Sequence, residues 1–215
     1  MFSSQECLYS LHMQKTLDFD KCIIYNTEYC RLEYGIIFGS NSKKLLFIKA
    51  GQDSSARGYR NKYLKLAHEI REEYGMSVVC SSNPDTEINQ MDHAMQILSK
   101  EGLLAADTQV YFAGFSKGAS IGCLQGANYP QITRYLLVNL PIIINTLKIC
   151  RAAKSFTGEK MSFVFGSDDP SANSLGLLRL HERENMTVRI IPGQDHYLSR
   201  DNFDLAELVK RELLW

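Results

Sequence analysis

A chain of 215 residues, 45% of them hydrophobic, has room for one domain with a central sheet covered on both faces and is short for two. Its 24 Lys and Arg balance 24 Asp and Glu, so no net field favours nucleic acid or an anionic membrane surface as a partner. No stretch approaches the roughly twenty apolar residues of a membrane helix, and MFSSQECLYSLHMQKTLDFD lacks a basic start followed by an apolar core, so a cytoplasmic protein is expected.

Residues 1–19 read as an N-terminal extension of uncertain structure on a single domain spanning 1–215. Short apolar runs then predict strands at 21–26, 33–38, 44–49, 76–80, 109–113, 134–139, 161–165 and 187–191. Between them, Tyr59, Tyr63, Leu66, Ala67, Ile70 and Tyr74 share one face of a helix that Gly75 would end. Ile88, Met91, Met95 and Leu98 repeat the pattern, with Asp85 as the expected N-cap and Gly102 as the stop. A helix after Ser116 carries Ala119, Cys123 and Ala127, small enough to pack close to a sheet, and a last helix is expected over 205–214. Helices alternate with strands from about residue 44, whereas the first two strands follow one another directly. The fold class is therefore α/β, a mainly parallel, doubly wound sheet of about eight strands with an antiparallel start and helices on both faces. Ligands of such sheets sit at the carboxyl ends of the strands.

VYFAGFSKGAS, residues 110–120, lies at such an end. A G-x-S-x-G string arises by chance about once in ten to fifteen chains of this length. Its setting gives it weight: an apolar run precedes Gly114 and a helical stretch follows Gly118. A serine at the tip of a sharp turn needs neighbours without side chains two positions away, which Gly114 and Gly118 supply. The backbone NH of Lys117, opening the helix, would face a negative oxygen forming beside Ser116.

A serine hydroxyl is a poor nucleophile at neutral pH and needs a base, which an acid must orient. Past Ser116 the histidines are His181, in the helical-looking LGLLRLHEREN, and His196, just after the last strand in VRIIPGQDH. His196 is the better base. MSFVFGSDDP offers Asp168 or Asp169 as the acid; Asp195, adjacent to His196, reads as a surface residue whose side chain diverges from it.

GFSKG, FGSDDP and GQDH, in the order serine, acid, histidine, resemble the nucleophile elbow, acid turn and histidine loop of the α/β-hydrolase superfamily. The resemblance runs from about residue 20 to the C-terminus. It implies a small, lidless serine hydrolase in which the G-x-x-D acid turn matches Asp169, with Asp168 the alternative. Family members often carry His-Gly after the third strand, where this chain reads KAGQDSS; Ala50 stands for the histidine, and the second oxyanion donor would be the NH of Gln52. Members often insert a lid after the sixth strand, but 140–160 has room for one helix and a turn, with PIIINTLKIC as an apolar wall.

Catalytic Ser116, Asp169 and His196, with Lys117 and Gln52 in the oxyanion hole, are thus expected to cleave a small-molecule carboxylic ester through an acyl-enzyme. A thioesterase or peptidase would use the same residues, and a non-catalytic binding protein on this fold is the alternative of another class. Arg57 and Arg60 are weaker candidates for binding a substrate carboxylate or phosphate. The Lys117 side chain reads as a solvated charge, and His68 and His93 as solvated histidines on polar helix faces. The spacing of His, Cys and Asp fits no metal site, and the glycines fit no nucleotide cofactor motif. The six cysteines form no C-x-x-C pair and are expected as buried free thiols.

Overall fold

The computed structural model describes residues 17–200 and 203–215; the expected extension up to residue 16, with Cys7 and His12, lies outside them. In chain order the elements are β1 (Lys21–Asn26), β2 (Arg31–Ile37), β3 (Asn41–Lys49), α1 (Lys62–Tyr74), β4 (Met76–Ser81), α2 (Gln90–Lys100), β5 (Gln109–Phe115) and α3 (Lys117–Gln125). There follow β6 (Ile132–Val138), α4 (Ile142–Ser155), β7 (Lys160–Gly166), α5 (Gly176–Arg179), β8 (Met186–Ile191) and α6 (Leu205–Val209). All eight expected strands form. They make one sheet in the order β1-β2-β4-β3-β5-β6-β7-β8, antiparallel for β1, β2 and their junction with β4 and parallel from β4 to β8.

A parallel sheet must be covered on both faces, so its strands are apolar on both. In β3, Leu45 and Phe47 enter one core, shared with α2, α3 and α4, while Leu46 and Ile48 enter the other, shared with α1 and α6. Those two layers carry the carboxyl ends of β3 to β8 to a common edge, where the loops bearing Gln52, Ser116, Asp169 and His196 gather. Gly75, at φ 66°, ends α1 as expected.

Several local readings change. The N-cap of α2 is Asn89, whose side chain accepts from the Met91 and Asp92 amides, because the Asp85 carboxylate is engaged by Lys117 instead. The helix expected to hold His181 ends at Arg179, and His181 sits in the turn beyond. The C-terminal helix keeps α-geometry only over Leu205–Val209 before a wider π-type turn. Of the five described cysteines, all free, Cys80, Cys123 and Cys150 are buried, but Cys22 is exposed and Cys30 partly so, since both belong to the edge hairpin. Among the described residues no helix is long and apolar enough to cross a membrane.

Candidate active site

Ser116 closes β5 with φ 53° and ψ −121°, a conformation that costs a non-glycine residue of order 1–3 kcal/mol and has to be imposed by its surroundings. They impose it from both sides. The Ser116 amide donates to the Val138 carbonyl of β6 at 2.8 Å. A Cβ at Gly114 would lie 2.7 Å from the Ala119 Cα, and one at Gly118 would fall on the carbonyl oxygens of Lys49 and Ala50. The two flanking glycines therefore let α3 close onto β5 and β3, which leaves the serine side chain at the sheet edge.

His196 reaches it from the loop after β8. Its Nε2 lies 3.0 Å from the Ser116 Oγ, and its Nδ1 is hydrogen-bonded to Asp169 Oδ2. Asp169 is 1% exposed. It caps the short 3-10 helix Pro170–Ser174, accepting the Ser171 amide on Oδ1 at 2.7 Å, and so presents Oδ2 to the imidazole. Three residues from three strand ends thus form one hydrogen-bonded line, in which His196 can accept a proton from Ser116 while Asp169 holds its tautomer.

The alternative acid is elsewhere. Asp168 pairs with Arg200 and accepts from Ser167 Oγ; these hydrogen bonds, Ser167 first, hold its carboxyl below the usual carboxylate range. Asp195 does turn away from His196, but it is no passive surface residue. Its carboxylate accepts the Tyr197 and Ser199 amides and the Ser199 hydroxyl, folding the loop that carries the histidine.

One residue that sequence reasoning passed over ties the loops together. Asn139, buried at the end of β6 with φ 47°, donates from Nδ2 to the carbonyls of His196 (2.7 Å) and Asp195 (3.2 Å), and its Oδ1 accepts the Gly166 amide at 2.9 Å. Gly166 opens the loop of Asp169. The only signal in the sequence was an asparagine, a residue that tolerates left-handed backbone, closing an apolar run.

On the other side of Ser116, a Cβ at Gly51 would sit 3.5 Å from the Ser116 Cβ, so the loop after β3 runs directly past the serine. Among the described residues, neither the Gln52 nor the Lys117 backbone NH has a hydrogen-bond partner. The Lys117 side chain is not free in solvent but pairs with Asp85 at 2.8 Å. Arg57 pairs with Asp18 and stacks on Phe19, and Arg60 lies over Tyr59, so neither guanidinium joins the Ser116 group. His68 and His93 are half-buried rather than solvated: His68 Nε2 meets the Asp18 carbonyl, and His93 Nδ1 meets the Tyr34 hydroxyl, both at 2.8 Å.

An open groove of about 510 Å³, lined by Cys30, Asp53, Ser54, Ser82, Pro84 and Asp85 among others, begins at the residue after Gln52. Ile143, Ile144 and Leu147 stand exposed on the first turns of α4, and Tyr197 lies edge-on to the His196 ring. No group of His, Cys, Asp and Glu that could hold a metal occurs among the described residues.

No protein-family model matches the chain, and no curated protein does. Solved structures do. Est1E from Butyrivibrio proteoclasticus superposes with a TM-score of 0.66 at 14% identity, over 88% of this chain and 94% of that one. An alpha-beta serine hydrolase homologue from Coxiella burnetii gives 0.64 at 13%, over 90% and 97%. The esterase domain of a Rhodothermus marinus protein gives 0.63 at 12%, over 88% and 93%.

Proposed function

From the α/β-hydrolase fold that the chain shares with these structures, we propose that it is a serine hydrolase cleaving carboxylic esters. The observation that carries the reading is the line Ser116, His196, Asp169, with the serine held at a strained turn between a strand and a helix. Ser116 Oγ attacks the acyl carbon as His196 Nε2 takes its proton. The tetrahedral oxyanion is received by the NH groups of Gln52 and Lys117. Collapse expels the alcohol, which takes the proton from His196, and leaves Ser116 acylated. Water then repeats the sequence, with His196 again as base, and releases the acid.

The ester class is favoured by the open surroundings. The segment between β6 and β7 holds only α4, so no lid is inserted there among the described residues, and the exposed Ile143, Ile144 and Leu147 offer an apolar rim to a modest acyl group. The names of the similar structures, esterases among them, support the same class.

The test is labelling by a fluorophosphonate probe together with hydrolysis of p-nitrophenyl butyrate. Wild type is expected to be labelled and to turn over the ester, and Ser116→Ala to do neither. A folded wild type that takes no label and cleaves no ester, thioester or aminoacyl amide would make this a binding protein. Labelling with turnover of thioesters or amides alone would replace the substrate class and keep the site.

A further inference from the structure

Among the described residues, three acidic or basic side chains are essentially inaccessible: Asp169, Glu212 and Lys49. Asp169 faces His196, and Glu212 has Lys160, Arg189 and Arg211 around it. Lys49, 1% exposed, has no carboxylate within ion-pair distance among the described residues. An ammonium removed from water without a counter-charge costs several kcal/mol, and such a residue in a core strand calls for a reason.

Its hydrogen bonds supply one. The three ammonium protons go to three acceptors: Ser81 Oγ at 3.0 Å, the Ser82 carbonyl at 2.5 Å and Gln90 Oε1. With Oε1 so fixed, the Gln90 amide nitrogen donates to Asn83 Oδ1 at 3.0 Å and the Pro84 carbonyl at 3.1 Å. With Oδ1 so fixed, Asn83 Nδ2 donates to the Ala50 carbonyl at 3.0 Å. The Asn83 backbone binds the same loop twice more, accepting the Asp53 amide at 2.8 Å and donating to the Ser54 carbonyl at 3.1 Å. Each amide in the relay has one orientation that satisfies it, and Lys49 in its protonated form selects that orientation because an ammonium can only donate. The relay starts at the last residue of β3 and ends on the loop that follows it, the loop whose Gly51 runs past Ser116.

We propose that Lys49 is a positioning residue which, through Gln90 and Asn83, fixes the backbone of residues 50–54 so that the Gln52 NH faces the oxyanion forming at Ser116. The inference rests on the esterase reading of Ser116 and Gln52. The ammonium does not touch substrate; it sets the loop that does.

The experiment is a double-mutant cycle in the full chain, read as kcat and KM for p-nitrophenyl butyrate, with Ser116→Ala as the blank. Lys49→Met is expected to lower kcat by about tenfold to a hundredfold with KM within about twofold, because an oxyanion donor acts in the transition state and not on bound ester. Gln52→Pro, which removes the donor NH itself, is expected to lower kcat by about a hundredfold to a thousandfold. In that background Lys49→Met should change kcat by less than about twofold. Equal losses in both backgrounds would mean a general structural role and overturn the proposal. If Lys49→Met does not fold, Gln90→Met, which cuts the relay one step later, is read in the same cycle with the same expectation. A folded wild type no more active than Ser116→Ala overturns the esterase reading and this inference with it, whereas Ser116-dependent activity with an additive cycle overturns this inference alone.

Discussion

Asp168 and Asp169 are adjacent in sequence and opposite in environment, one exposed on Arg200 and the other enclosed against His196. Asp169→Asn should therefore lower kcat by about a thousandfold to ten-thousandfold by releasing the imidazole tautomer. Asp168→Asn should cost less than about threefold, and steady-state kinetics on the two purified variants decides between them. Equal, small losses would remove Asp169 from the acid role. Asn139 makes a second residue-scale prediction. Asn139→Gly keeps a residue comfortable at φ 47° and deletes only the amide that joins the Asp169 and His196 loops. A kcat loss of about tenfold to a hundredfold with unchanged KM is expected, while a variant as fast as wild type would show that the loops need no such tie. The serine, the histidine and the choice of two aspartates were legible because each sits where an apolar run stops. Asn139 and Lys49 were not, because their meaning lies in which backbone groups meet them from segments about 30 to 60 residues away in the chain, and a linear pattern carries no such information.

Elements were legible for a related reason. Strands covered on both faces must be apolar throughout, so β4, β5 and β7 stand out as continuous runs. Their ends were set less well by pattern. β3 begins at Asn41 because its ladder with β4 shifts register between Asn41 and Leu45, a pairing that no local property of those residues announces. The lower limit on the gap between α3 and the sheet gives an element-scale prediction. Gly118→Ala places a methyl group on the Lys49 and Ala50 carbonyls and should lower the unfolding free energy by about 1–3 kcal/mol or more. Gly176→Ala, in α5 with nothing within 4 Å of the new carbon, is the control and should be neutral or stabilising by up to about 1 kcal/mol. Urea unfolding of both variants makes the comparison; a Gly118→Ala protein as stable as wild type would mean that α3 is not held against β3 as described.

At the scale of the whole molecule, stability should depend on pH through Lys49. Burial, aided by nearby Lys117, pushes its amine down to about 7, against 10.5 for an exposed lysine. Between these values the unfolded chain holds a proton that the folded chain has given up, so unfolding free energy rises with pH. From pH 7 to 9 the rise should reach about 2–3 kcal/mol. His93, which faces Lys49 from α2 and is held below its usual 6.5 by burial, titrates below that window. Above about 9 the buried thiols of Cys80 and Cys123, both pushed up by burial, oppose the gain. Urea midpoints at pH 7, 8 and 9 should climb in wild type and stay level in Lys49→Met; the same climb in both would assign it to another group.

The order of strands across the sheet has a further consequence, for time rather than space. β5, β6, β7 and β8 are laid side by side in the order in which they are synthesised, and His196 follows the last of them. A chain emerging from the ribosome therefore carries Ser116 for some eighty residues as an ordinary hydroxyl, and its partner arrives only when the outermost strand docks. Chemical reactivity at that one oxygen would then act as a clock for the completion of folding.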